Sequence, residues 1–280
     1  MGVLPVPPPK GVWLRAVDAV TVEVVTETIG FVGAGPIGTT LARLSIAAGL
    51  DVIMSNSRGP DTLADVVAEL GPHARAGTVG EAADSSAIVV LAIPLNAHHR
   101  LDPEIFAGKV VVDTMNYYRD RDSAIPELEG NELTSSELVQ RHLRDARIVK
   151  ALNNLDYYRL GRNARPKGDR QRSTLPVAAD DPAAKAQVVA FMDTIGYDAT
   201  DVGALADGWR FGPGTPIYGL PYIAAPPERL NTPEEERSWF FDTPSATVTA
   251  ERAKALLAQA VRGQAGHTPI PGYAYPPPAA

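Results

Sequence analysis

Apolar runs and helical periods alternate along most of this chain. Strands are predicted at 29–32, 52–54, 75–78, 88–93, 110–113, 148–152, 175–178 and 197–202. Helices are predicted at 37–48, 62–70, 80–85, 135–142 and 181–195, the second framed by Asp61 and Thr62 at its start and Gly71-Pro72 at its stop. Such alternation predicts an α/β fold with a doubly wound, mostly parallel sheet and helices on both faces. Because strands continue past residue 150 without a linker, 28–203 reads as one domain.

Composition changes after Gly203. A Gly- and Pro-rich stretch over 207–227 reads as structured loop. A helix at 233–241 follows, with Thr232 as cap, Pro233 in the first turn, and Glu234, Glu235 and Glu236 complementing its dipole. Another at 250–262 stops at Gly263, and its Ala253, Leu256, Leu257, Ala260 and Val261 form one apolar stripe. Residues 264–280 read as a loose Pro-rich tail, which completes a Pro/Gly-rich C-terminal extension, 204–280, carrying short helices. For 1–27 the sequence leaves two readings open, a flexible leader or an extra edge strand.

The sharpest chemical signal lies at the first strand of the domain. Thr28 to Val32 run into Gly33-Ala34-Gly35-Pro36-Ile37-Gly38, and a helix follows. In this GxGxxG spacing Gly33 permits the tight turn, Gly35 lets a phosphate approach bare backbone, and Gly38 lets helix and strand pack closely. The strand and helix on either side make it a Rossmann dinucleotide fingerprint rather than a chance match.

The next strand tip reads Ser55-Asn56-Ser57-Arg58, and all four are candidate cofactor-binding residues. A carboxylate there would accept from an NAD ribose hydroxyl and repel a 2′-phosphate, whereas Ser57 offers a donor and Arg58 a cationic fork suited to phosphate. The expected cofactor is therefore NADP(H). Asp51 sits at the wrong end of its strand for the ribose role.

Net charge −7 with 21% charged residues gives no basic footprint for nucleic acid or an anionic membrane, so an anionic cofactor must be held by local donors. The absence of cysteine excludes disulfides, thiolate metal sites and cysteine nucleophiles. The first ten residues lack a signal peptide's apolar run, and Glu23 interrupts the apolar stretch 19–25. No segment reaches the roughly 20 apolar residues of a membrane span, so a cytoplasmic protein is expected.

Ligands of open α/β sheets bind at the carboxyl ends of strands. Three later tips stand out: Ala92-Ile93-Pro94, Asp113-Thr114-Met115-Asn116-Tyr117-Tyr118, and Lys150-Ala151-Leu152-Asn153-Asn154. Ile93 and Pro94 suit the nicotinamide and ribose. Asn116, Asn153 and Asn154 can bond carboxamide or ring-carbonyl groups, though each is equally well explained as a turn-former. His98-His99 reads as a surface pair, since adjacent residues do not face one another and no third metal ligand has useful spacing. Asp113 and Lys150 sit near strand ends where they could shuttle protons, though a structural salt bridge is the commoner arrangement. Trp209-Arg210-Phe211 either covers the site or plugs a core edge. No catalytic side chain is assigned.

Together Thr28 to Gly38, the Asn56-Ser57-Arg58 tip, Ala92-Ile93-Pro94 and Lys150 to Asn154 resemble the NADPH-dependent reductases of coenzyme F-420, an 8-hydroxy-5-deazaflavin, over about 28–203. The resemblance implies direct hydride transfer between stacked nicotinamide and deazaflavin rings, which needs proximity more than a strong acid or base. It assigns Gly33, Gly35 and Gly38 to the pyrophosphate, Ser57 and Arg58 to the 2′-phosphate, Ile93 and Pro94 to the nicotinamide half, and Asn153 and Asn154 to the stacked rings. Coenzyme F-420 would then be the co-substrate, and the partner a small-molecule hydride acceptor. The chain departs from better-known members after residue 203. Two alternatives stay open: reduction of a small imine or carbonyl compound, and a non-catalytic NADP(H)-binding sensor. The oligomeric state is open as well, a homodimer through the carboxy-terminal helices being one arrangement.

Overall fold

A computed structural model describes residues 12–17, 21–225 and 232–268. Strands β1 (Val12–Val17) and β2 (Thr21–Thr26) pair antiparallel as a two-stranded sheet of their own, so these residues are not an edge of the main sheet. The main sheet has eight strands: β3 (Thr28–Val32), β4 (Asp51–Ser55), β5 (Ala74–Ala76), β6 (Ile88–Leu91), β7 (Val110–Asp113), β8 (Arg147–Ala151), β9 (Thr174–Ala179) and β10 (Asp198–Gly203). Their spatial order is β10-β9-β8-β7-β6-β3-β4-β5, parallel throughout except where β8 meets β9. The expected doubly wound, mostly parallel Rossmann sheet is present. Its order reverses at β3 and β6, and the crevice between their carboxyl ends is where such sheets take ligands.

The α-helices among the described residues are α1 (Pro36–Ala47), α2 (Ala64–Leu70), α3 (Val79–Asp84), α4 (Arg119–Asp122), α5 (Pro126–Glu129), α6 (Ser135–His142), α7 (Tyr157–Arg162), α8 (Pro182–Thr194), α9 (Pro233–Asp242) and α10 (Ala250–Ala258). Alternate strand residues serve opposite faces. Ile88, Val90, Val110 and Val112 join one core with Leu41, Leu160 and Val188, while Val89, Leu91 and Val111 join another with Phe106, Leu138 and Val139. Burial on both faces explains why these strands read as continuous apolar runs.

Several boundaries differ from expectation, each for a local reason. Thr78 does not extend β5; its Oγ1 accepts from the Glu81 amide at 3.1 Å, Glu81 accepts from the Thr78 amide at 2.7 Å, and this capping box opens α3. The run at 88–93 ends as a strand at Leu91, because Pro94 commits the chain to an extended exit. Helix α10 ends at Ala258 rather than 262: Ala253, Leu256 and Leu257 are buried, but Val261 is 84% exposed and gives a further turn nothing to pack on.

The extension belongs to the main core. Phe211, Ile217, Tyr222, Val248, Ala253, Leu256 and Leu257 all pack into it. The start of the expected loose tail is docked too, since the Arg119 amide donates to the Gly266 carbonyl at 3.0 Å. Residues 269–280 lie outside the described residues.

Candidate functional site

Glycine is required twice in the turn after β3 by close backbone approach. Gly33 has φ +113°, and a Cβ there would stand 2.2 Å from the Ala92 carbonyl oxygen. A Cβ on Gly38 would stand 2.1 Å from the Gly33 carbonyl oxygen. Gly35 differs: its backbone is extended (φ −79°), and a Cβ would meet no protein atom within 4 Å. It caps α1 without a side-chain bond, and no acidic residue stands in that helix's first turn. The positive end of α1 is therefore uncompensated by the chain, which suits an anion. Ala34 is half-buried between the glycines, and its carbonyl accepts from the Thr39 hydroxyl at 3.3 Å.

At the β4 tip Asn56 organises the loop. Its Oδ1 accepts from the Arg58 amide at 2.8 Å and its Nδ2 donates to Thr62 Oγ1 at 2.9 Å, an Asx turn that leaves Ser57 and Arg58 exposed. Among the described residues no carboxylate pairs with the Arg58 guanidinium. Asp51, at the opposite end of β4, is held by His73 Nδ1 at 2.8 Å.

A cavity of about 360 Å³ opens at the reversal of strand order. Gly33, Gly35, Pro36 and Ile37 form one wall, and Ala92, Ile93 and Pro94 from the β6 exit adjoin it. The β7 and β8 exits contribute Met115, Asn116 and Asn153. Leu152 holds φ +59°, an uncommon backbone for leucine that costs on the order of 1–3 kcal/mol, and it redirects the chain just before Asn153. Asn116 and Asn153 clasp each other: Asn153 Nδ2 donates to Asn116 Oδ1 at 3.0 Å, and Asn116 Nδ2 donates to the Asn153 carbonyl at 2.9 Å. Asn153 Oδ1, buried at 2% residue exposure, has no hydrogen-bond partner in the structure. A buried acceptor at a cavity wall fits an incoming amide N–H.

Two residues assigned from sequence to the cofactor point elsewhere. The Ser55 hydroxyl is buried and donates to the Phe31 carbonyl at 2.7 Å, tying β4 to β3, while the Ser55 carbonyl accepts from the Gly33 amide at 2.9 Å. Asn154 is fully buried behind the cavity wall, its Nδ2 donating to Tyr222 OH at 2.9 Å and the Ile217 carbonyl at 3.2 Å. Ser57 and Arg58 stand outside the cavity lining.

The cavity is closed by aromatic and charged groups: Tyr118, in a tip singled out from sequence but given no role, and Arg121, Tyr157 and Tyr218, which sequence reasoning overlooked. Tyr118 lies two residues after Asn116 in the β7 exit, so its place at the mouth had a local signal. Tyr218 had none, because only the fold of the loop after β10 brings it there.

Beneath this wall lies a buried ion pair. Lys150 Nζ stands 3.4 Å from Asp113 Oδ2 and also donates to the Met115 carbonyl. Asp113 accepts from Ser136 Oγ at 2.6 Å and the Met115 amide at 2.8 Å. Burial lowers the Lys150 pKa, with Asp113 opposing the shift. The pair is structural in its contacts, as expected, and fixes the backbone of Met115 at the cavity edge.

Trp209, Arg210 and Phe211 do not cover this cavity. Phe211 is buried in the core, and Trp209 lines a second, smaller cavity of about 180 Å³ with the Arg210 and Arg262 guanidiniums 4.6 Å and 5.9 Å from its ring centre. His98 is half-buried rather than fully exposed, and its Nδ1 bonds the Leu95 carbonyl at 2.7 Å. Among the described residues no histidine or carboxylate cluster could hold a metal, and no helix is long and apolar enough to cross a membrane.

Comparison with known proteins bears directly on the Gly33 turn and the β6 and β7 exits. Residues 28–117 match the family described as NADP oxidoreductase, coenzyme F420-dependent. That segment contains Gly33, Gly35, Gly38, Ser57, Arg58, Ile93 and Pro94. A hypothetical protein, SMa0349 from Sinorhizobium meliloti, superposes with TM-score 0.62 at 29% identity, covering 70% of this chain and 94% of that one. A "putative f420 dependent nadp-reductase" from Arthrobacter sp. FB24 superposes with TM-score 0.54 at 25% identity, over 63% of this chain and 84% of that one. Protein YjhV of Escherichia coli (strain K12) is 36% identical over 63 residues, 22% of this chain; the match spans less than half of the relative, 46% of its length. Of these, the family match and the Arthrobacter structure are likenesses to proteins described as NADP-dependent oxidoreductases.

Proposed function

We propose that this chain transfers hydride between NADPH and a deazaflavin, coenzyme F-420, or a similarly flat acceptor. The observation that carries the reading is the unfilled space at Gly35, where an uncompensated helix terminus meets the cavity. When bound there, NADPH would supply the hydride. Gly33, Gly35, Pro36 and Ile37 would hold the pyrophosphate, and Ser57 and Arg58 the 2′-phosphate. Ile93 and Pro94 would flank the nicotinamide, and the orphaned Asn153 Oδ1 would accept from its carboxamide. The description of the matching family and the printed name of the Arthrobacter structure favour a deazaflavin acceptor.

Mixing the pure protein with NADPH and oxidised deazaflavin should bleach the acceptor's visible absorbance. No bleaching despite measured NADPH binding would remove the acceptor from the account. NADPH consumption with an imine or carbonyl compound instead would favour the alternative substrate class. Arg58→Ala is expected to weaken NADPH about 10- to 150-fold, the worth of one lost bidentate charged contact of ~1.5–3 kcal/mol, while changing NADH by less than about twofold. Equal weakening of both dinucleotides would mean that this loop does not read the phosphate.

A further inference from the structure

We propose that residues 262–268 form a strap that sets the nicotinamide half of the cleft from outside it, with Gly266 and Tyr117 as the positioning residues; this rests on the cleft being the NADPH site. The strap follows α10, and none of its residues lines the cleft cavity. It lies along the β7 exit and the segment after it. The Arg119 amide donates to the Gly266 carbonyl at 3.0 Å, and Ala265 packs on the second core. Asn131 Nδ2 donates to the Gly263 carbonyl at 3.1 Å, and Arg262 Nη2 donates to the Leu133 carbonyl at 3.2 Å. At the far end Thr268 Oγ1 stands only 2.5 Å from where a Cβ on Gly214 would be, so a glycine is needed beneath it as well.

Gly266 is the point of closest approach. Its φ is +77°, and a Cβ there would stand 2.2 Å from Tyr117 Cε1 and 2.6 Å from Cδ1, so only glycine lets the strap lie on that ring. Tyr117 cannot give way. It is 4% exposed, its hydroxyl accepts from the Ile125 amide at 3.1 Å, and the same oxygen stands 3.0 Å from both the Ser123 carbonyl and Glu129 Oε1. The ring is thus held at its tip by 123–129 and along its edge by the strap.

What the ring fixes is the wall of the cleft, because Tyr117 stands in the chain between Asn116 and Tyr118, and both of these line the cavity. In the sheet β7 lies beyond β6 from β3, so its exit serves the half of the cleft away from the Gly33 turn. Asn116 carries the effect further. It clasps Asn153, whose orphaned Oδ1 is the group proposed above for the nicotinamide carboxamide. Asn116 also lines the smaller cavity, together with the strap from Arg262 to Gly266. With a cavity on each side, this asparagine is placed by its backbone and its hydrogen bonds rather than by close packing, and the strap bears on that backbone one residue away.

Gly266→Val cannot keep its φ beside Tyr117 and should lift the strap. The core should stay folded, since α10 is anchored upstream by Ala253, Leu256 and Leu257. Calorimetric titration with NADPH and with 2′,5′-ADP, which has the adenosine and its phosphate but no nicotinamide, separates the two halves of the cleft. Gly266→Val should bind NADPH about tenfold more weakly, the worth of one hydrogen bond lost at the carboxamide, and 2′,5′-ADP within about twofold of wild type. A second variant leaves the Tyr117 ring untouched: Asn131→Gly, which tolerates the φ of +57° at that position, combined with Arg262→Ala, removes both side-chain ties to the strap. It should weaken NADPH about three- to fivefold, again without weakening 2′,5′-ADP. NADPH affinity unchanged in either folded variant would overturn the strap, as would an equal loss of both ligands, which marks a general loosening of the fold. Wild-type protein that binds neither ligand would overturn the reading of the cleft, and the strap with it.

Discussion

Gly35→Val should leave the protein folded and lose more than about 100-fold in NADPH affinity. The side chain would meet no protein atom within 4 Å, and the extended backbone at this position accommodates valine. Its stability cost is therefore that of a poorer helix cap, about 1 kcal/mol. For a ligand the same group would fill the space beside the α1 amides. Losing two charge-assisted bonds of ~1.5–3 kcal/mol each gives the affinity change. Gly33→Ala is the control, since its Cβ would collide with the Ala92 carbonyl at 2.2 Å and unfold the turn itself. Urea titration and NADPH titration of both variants separate the two effects. Unchanged NADPH binding by a folded Gly35→Val protein would show that no phosphate approaches here.

Lys150→Met should cost about 3–5 kcal/mol of stability, the penalty for stranding a buried charge. Its partner Asp113 is fully buried and would keep only the Ser136 hydroxyl and the Met115 amide. Adding Asp113→Asn should restore much of the loss, because the amide oxygen still accepts from Met115 and no charge remains. Urea unfolding of the single and double variants checks this. A single-variant loss below about 1 kcal/mol would mean that the pair is dispensable. Because Asp113 and Lys150 both hold Met115, the consequence reaches the cavity wall as well as the core.

The parts of this molecule legible in sequence are those written by local chemistry. Each main-sheet strand was anticipated within a few residues, because burial on both faces leaves a continuous apolar run. The turn from Gly33 to Gly38 was legible because backbone contacts at those two glycines admit no side chain. Where the reading slipped, two local signals competed: Thr78 reads as a β residue until Glu81 is seen as its capping partner. The fates of Ser55 and Asn154 were not legible. A hydroxyl or amide at a strand tip can face ligand or core, and only the packing of β3 against β4, or of the extension around Tyr222, decides. Tyr218 was hidden for a similar reason, since it reaches Asn116 and Tyr118 across about a hundred residues of chain.

Calorimetric titration of the wild-type protein with NADPH and, separately, NADH tests the central claim most directly. The open end of α1 and the exposed Arg58 predict saturable binding of both dinucleotides, with NADPH tighter by about 10- to 150-fold. Binding of neither, or a preference for NADH, would contradict the account.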